Sequence, residues 1–139
     1  MPKILAFACS PRKGNGHTWK LLDAFIKAAE GVGADAKVYD MNSPGIRGCQ
    51  ACFTCRTVPG CGIDDELRPV YGEMATASVV VFASPIYFAD ISGQGKIFID
   101  RMFPMPGGQA FAPRHPGETG GSLFSQGGGD PSPLPPCTI

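Results

Sequence analysis

Two short apolar runs constrain this chain more than any other feature: Lys3-Ile4-Leu5-Ala6-Phe7-Ala8 near the start and Ser78-Val79-Val80-Val81-Phe82-Ala83 past the middle. Neither alternates polar with apolar residues, so each reads as a strand buried on both faces. Such strands belong to parallel sheets covered by helices. The intervening segments supply those helices. Behind Thr18, the residues Leu22, Phe25, Ile26 and Ala29 recur at helical spacing, and Gly31 and Gly33 end the pattern. Asp35–Asp40 reads as a second strand around Val38 and Tyr39. Asp64 is placed to cap a helix through Leu67, Val70, Tyr71 and Met74, in which Pro69 forces a kink or a later start. Ser92 opens a third helical pattern through Ile97, Phe98, Arg101 and Met102. Gly93 and Gly95 weaken it by roughly 1 kcal/mol each relative to Ala. Ser122-Leu123-Phe124-Ser125 is the candidate fourth strand.

Alternating strands and helices predict an α/β fold with a parallel sheet and right-handed crossovers. Ligands bind such sheets outside the carboxyl ends of the strands. The loops at residues 9–18, 84–90 and 125–130 leave those ends, and the cysteine-rich segment after the second strand is expected on the same rim.

The 139 residues read as one domain over 1–127 and a disordered Gly/Pro-rich tail over 128–139. Twelve basic and twelve acidic side chains cancel (12 each), which gives no support for nucleic-acid or anionic-membrane binding. No apolar stretch approaches a membrane span, and the N-terminus lacks a signal-peptide core. A reducing, cytoplasmic setting is therefore expected, which favours thiolate ligands over disulfides for the six cysteines.

Four of those cysteines form the run Cys49-x2-Cys52-x2-Cys55-x5-Cys61. A disulfide framework would spread its thiols, and a structural zinc site draws two separated pairs. The tight spacing suits an iron–sulfur cluster, with zinc and unliganded thiols as the other readings. Cys9 reads as a small buried residue and Cys137 as a free thiol in the tail.

The loop Ser10-Pro11-Arg12-Lys13-Gly14-Asn15-Gly16-His17-Thr18 offers hydroxyls, cations and backbone N–H groups at a helix N-terminus. These are the parts of a phosphate cradle, and a solvated turn is the plain alternative. Ser84-Pro85-Ile86-Tyr87-Phe88-Ala89-Asp90 sets aromatic side chains beside backbone amides, which suits a flat heteroaromatic ring or a buried turn. His17 and His115 have no partners that make a catalytic constellation. Asp64, Asp65 and Glu66 are expected to complement a helix dipole.

Taken together, KILAFACSPRKGNGHT, CQACFTCRTVPGCGIDDEL, VVVFASPIYFADISGQGKIFIDR and SLFSQG resemble the flavodoxin-like NADPH-dependent FMN reductase superfamily, and within it the iron–sulfur flavoproteins. The resemblance implies a three-layer, doubly wound sheet of about four strands in the order 2-1-3-4. It implies that Ser10, Arg12, Asn15 and Thr18 hold the FMN phosphate. Pro85, Ile86, Tyr87 and Phe88 would line the isoalloxazine ring, and Gln126 and Gly127 would form a third flavin loop. Cys49, Cys52, Cys55 and Cys61 would ligate a [4Fe–4S] cluster. Such proteins pass electrons between cluster and flavin, with NAD(P)H or ferredoxin as candidate donors, and are usually homo-oligomers. Relatives without clusters reduce flavin or quinones.

The chain departs from the family pattern at Cys9, where Gly is usual, at the extra Gly14, and at Gly95, where a larger residue is usual. It also stops where the family continues with a helix, an edge strand and a last helix. An incomplete sheet with an uncovered edge is expected to self-associate.

Overall fold

The computed structural model describes residues 1–104 and the strand at 119–125. In chain order these are β1 (Lys3–Ala8), α1 (His17–Gly31), β2 (Asp35–Asp40), α2 (Val70–Met74), β3 (Val79–Tyr87), β4 (Asp90–Ile91), α3 (Gly93–Asp100) and β5 (Thr119–Ser125). A single 3-10 turn, Thr54–Arg56, lies in the cysteine loop.

β1 lies between β2 and β3, parallel to both, with Ile4 opposite Ala36 and Val79. β5 adds to the other side of β3, also parallel, from Val79↔Thr119 to Pro85↔Ser125. The four long strands thus run β2-β1-β3-β5, which is the expected order 2-1-3-4. β4 is a two-residue antiparallel addition to the tip of β3.

The sheet is covered on both faces. Along β1, Ile4, Ala6 and Ala8 join Leu22 of α1, with Phe25 and Ile26 beside them. The alternate residues Leu5, Phe7 and Cys9 join Val70, Tyr71, Met74 and Phe98 of the α2–α3 layer. A strand's period of two sends successive side chains to opposite faces, so one apolar run serves two cores. The α1 side is floored by alanine. The other side is aromatic, with Phe98 stacked on Phe7 at 4.0 Å and near Phe82 at 5.9 Å.

Four elements differ from the sequence reading. β3 continues through Ser84 and Pro85 to Tyr87 instead of turning at Ser84, because β5 pairs with it as far as Pro85. β5 begins at Thr119, ahead of Ser122. α2 starts only after Pro69, which is its N-cap. Pro lacks the N–H a helix interior needs, so residues 65–69 form a bend and turns, and Asp64 is not the cap. Finally, α1 is capped by Gly16, which leaves Thr18 buried inside its first turn.

Candidate functional site

The loop after β1 is held by its own backbone. Arg12 O accepts from Asn15 N–H at 3.2 Å and from Gly16 N–H at 2.8 Å. Ser10 is buried, its Oγ accepts from Arg12 N–H at 3.4 Å, and its carbonyl accepts from Trp19 Nε1–H at 3.0 Å. Gly14 turns the chain at φ +81°, a conformation that favours glycine. A Cβ on Gly16 would lie 3.0 Å from Arg12 O. Lys13 is turned aside by Asp40 at 3.3 Å, whereas Arg12 and Asn15 are exposed at the mouth of the loop.

Three hydroxyl and backbone contacts join this loop to the tip of β3. Ser92 Oγ donates to Cys9 O at 2.5 Å and accepts Gly95 N–H at 3.1 Å, so it both caps α3 and anchors the β1 loop. Ser92 N–H donates to Ser84 Oγ at 3.0 Å. Cys9 N–H donates to Ala83 O at 2.8 Å. Cys9 itself is fully buried, and burial, reinforced by the Asp40 carboxylate, pushes its thiol up to about 12. It is a packing residue, as its sequence context suggests.

At the tip, Ile86 pairs with Ile91 and Tyr87 with Asp90. The two residues between them, Phe88 and Ala89, have φ of 48° and 62°. Two successive positive φ values match the right-handed twist of a two-residue hairpin, but Asn-Gly normally occupies them. Strain of this kind persists where the surroundings impose it. The hairpin presents Tyr87 at 44% exposure and Phe88 fully open to solvent, while Pro85 is buried and Ile86 half-buried. Thus Ser10, Arg12, Asn15, Thr18 and Pro85 to Phe88 meet on one rim. Gln126, Gly127, His115, Cys137 and the tail lie outside the described residues.

The cysteine loop is built differently. Cys49 and Cys52 are exposed, Cys55 and Cys61 half-buried, and all four are free thiols. Ala51 and Phe53, both beside Cys52, have φ of 52° and 56°. The Thr54 hydroxyl, followed by the Thr54 backbone N–H, holds the Cys52 thiol below its usual range. That enlarges the thiolate fraction, the form that binds metal. The loop folds back so closely that a Cβ on Gly62 would lie 2.9 Å from Thr54 Cβ. Ile63 N–H donates to Cys61 Sγ at 3.5 Å. Four free thiols on one folded-back loop, two of them with backbone N–H partners, fit an iron–sulfur cluster in donor chemistry. The thiols are not gathered: among the described residues no group of three or more His, Cys, Asp or Glu is arranged to hold a metal ion.

Sequence reasoning missed the base of this loop. Arg101, just past α3, is 1% exposed. Its Nη1 donates to Arg47 O at 2.6 Å and Asp65 Oδ2 at 2.7 Å, and its Nη2 to Asp65 Oδ1 at 2.9 Å. Asp65 also accepts Arg47 N–H and Leu67 N–H, each at 3.1 Å. Burial alone would raise the Asp65 carboxyl, but the Arg101 guanidinium and these N–H groups outweigh it and hold it below the usual range. Tyr71 Oη donates to Arg101 O at 2.9 Å, and burial pushes the phenol up to about 12. Asp65 therefore anchors a buried ion pair and does not serve a helix dipole. The Arg at a nominally core-facing helical position was the only sequence signal. α3 also corrects the expectation that all the chemistry shares one rim. Its N-cap Ser92 is at the rim, and Arg101 lies one helix length away, about 12 Å for eight residues.

A cavity of about 420 Å³ adjoins Lys13, Asp40, Asn42, Ser43 and Glu66. It lies beside β2, and none of the hairpin residues 85–88 lines it.

A parallel sheet covered by helices on both faces, whose first loop turns at Gly14 beside an aromatic hairpin at the carboxyl ends of the strands, defines a flavodoxin-like fold. The chain belongs to the NADPH-dependent FMN reductase family, whose model matches residues 2–123. It is similar to an iron-sulfur flavoprotein of Archaeoglobus fulgidus, 32% identical over 91% of this chain and 55% of that protein. It is also similar to one of Methanosarcina thermophila, 30% identical over 71% of this chain and 51% of that protein. The chain therefore spans about half the length of these curated relatives. Its fold matches an NAD(P)H:quinone oxidoreductase from Methanothermobacter marburgensis with a TM-score of 0.63, at 18% identity over 91% of this chain and 65% of that one. An azoreductase from Bacillus anthracis gives 0.66, at 17% identity over 92% and 70%. No helix among the described residues is long and apolar enough to cross a membrane.

Proposed function

We propose that this chain is the flavin-binding part of an FMN-dependent oxidoreductase that passes electrons between a [4Fe–4S] cluster and FMN. The observation that carries this reading is the Ser92 Oγ contact to Cys9 O, which fixes the phosphate-type loop against the aromatic hairpin at the carboxyl end of the sheet. In this reading Ser10, Asn15 and Thr18, with the N-terminal N–H groups of α1, surround the FMN phosphate. Arg12 supplies a cation free to approach it. Pro85, Ile86, Tyr87 and Phe88 border the ring, with Gln126 and Gly127 as a third contact. Cys49, Cys52, Cys55 and Cys61 hold the cluster. When bound, FMN supplies chemistry in one- or two-electron steps, and the protein orients it and excludes water.

NAD(P)H and a small redox protein such as ferredoxin are the proposed donor classes. A homo-oligomer in the reducing cytoplasm completes the reading. The exposure of Phe88 at the rim is consistent with a surface covered on assembly. A second reading, a cluster-free NAD(P)H-dependent FMN or quinone reductase, is favoured by the ungathered thiols.

Anaerobic purification followed by iron, sulfide and flavin assays decides between them. The expected result is about one FMN and four iron per chain, with a broad visible absorbance bleached by dithionite. Flavin without iron would establish the cluster-free reading. Zinc without flavin would overturn both and leave a non-catalytic, metal-stabilised domain.

A further inference from the structure

The cysteine loop is tethered at both stems by one buried side chain. Arg47 lies two residues before Cys49, and Asp65 lies four residues after Cys61. Arg101 holds the carbonyl of the first stem and both carboxylate oxygens of the second. Arg47 N–H closes the same knot by donating to Asp65 Oδ2 at 3.1 Å. Tyr71 Oη in turn fixes the Arg101 carbonyl, so the clamp is locked to α2 as well as to α3. No other side chain could replace this geometry simply: a Lys ammonium is a point charge and lacks the planar fork that spans two oxygens. The Arg101 side chain is 0% exposed and that of Asp65 3%, so water cannot substitute for either partner.

We propose that Arg101 and Asp65 are positioning residues that seat the four-thiol loop at the far end of α3, and that α3 acts as a strut between this loop and the flavin rim. The proposal rests on the reading that the loop carries an iron–sulfur cluster. The same helix is bonded at its start, through Ser92, to both rim loops. One rigid element therefore sets the separation of the two redox groups. The clamp fixes the stems only, and the thiols between them close around the cluster from a tethered loop. Tethering shortens the chain that must be ordered, which reduces the closure cost.

The test uses the full chain reconstituted anaerobically with ferrous iron and sulfide, compared with Arg101→Lys, Asp65→Asn and Cys52→Ser. Three quantities are read: the rate of iron loss to a chelator, the electron paramagnetic resonance signal after dithionite, and the FMN dissociation constant. Arg101→Lys is expected to lose iron about tenfold faster and to give a heterogeneous signal, with FMN affinity within about twofold of the parent. Asp65→Asn should behave likewise, and carries the test alone if the lysine variant does not fold. A lower melting temperature with unchanged iron retention and an unchanged signal would show a merely structural role and overturn the proposal. If the parent takes up no more iron than Cys52→Ser, the cluster reading itself fails. Amide exchange over residues 48–64 then judges the clamp alone. Faster exchange in Arg101→Lys than in the parent supports it, and equal exchange overturns it.

Discussion

The rim loop after β1 and the cysteine loop after β2, the two loops proposed to hold ligands, are organised differently. The rim loop is short and internally bonded. Its strained position is occupied by Gly14, and its backbone closes on Arg12 O. The cysteine loop is longer, places Ala51 and Phe53 as well as Gly60 at positive φ, and leaves Cys49 and Cys52 exposed. Its interior holds a bonded turn at Thr54–Arg56, and its stems are tied by Arg101 and Asp65. A loop that reads a phosphate can be built in advance, because a phosphate asks only for N–H groups and positive charge. In the proposed function the cysteine loop brings four sulfurs to a cluster, and here its base is fixed while the thiols stay ungathered.

Arg101→Met should separate the two regions most sharply. Removing one partner of a buried pair leaves an uncompensated carboxylate and typically costs about 3–5 kcal/mol. Denaturant unfolding should show a loss of that size, with amide exchange quickening first in the cysteine loop. Equal quickening in the rim loop would mean that the two loops are one cooperative unit. The pair also sets a pH response. The Asp65 carboxyl is held low, so its contribution is present above the ordinary carboxylate pKa, about 4. It is lost as pH falls through the lower folded value. Asp65→Asn should therefore flatten the fall in stability on the acid side, and an unchanged acid limb would place the pair elsewhere in the energetics.

Arg12→Ala should act on the other region alone. A charge-assisted contact to phosphate is worth roughly 1.5–3 kcal/mol, so FMN affinity should fall by that much while riboflavin affinity is unchanged. Equal losses for the two ligands would show that the loop does not read phosphate.

Gly95→Ala tests the strut that joins the regions. In an ordinary helix interior this change stabilises by about 1 kcal/mol. Here the new Cβ would lie 2.8 Å from Phe82 Cζ, beneath the Phe82–Phe98 contact. Overpacking should reverse the sign and destabilise by about 1 kcal/mol or more. A stabilised variant would show that the aromatic layer yields freely.

The smallest effect is expected at the hairpin. Ala89 sits at φ 62°, so Ala89→Gly should relieve strain and raise stability by up to about 1 kcal/mol. A loss of stability there would mean that the methyl group packs usefully.

Much of this arrangement was legible in the residues. The continuous runs of β1 and β3 announced a covered parallel sheet, and the order β2-β1-β3-β5 followed from the family resemblance that the loops carried. Ser92 as a helix cap and Cys9 as a buried residue were readable because each depends on immediate neighbours. Helix starts were less legible. Pro69 was visible, but the length of helix it removed depended on how residues 64–68 packed. The continuation of β3 through Pro85 depended on a partner strand some forty residues later in the chain.

The sequence by itself determined the layers, the rim loop and the presence of four closely spaced thiols, since strand burial, turn chemistry and cysteine spacing are local properties. Tertiary structure alone decided what holds the stems of their loop in place. Arg101 and Asp65 are 36 residues apart, and Arg101 and Arg47 are 54 apart. No local pattern links them. They meet because α3 runs back along the sheet from the rim and delivers a guanidinium to a buried spot, where only a carboxylate and a backbone carbonyl could receive it.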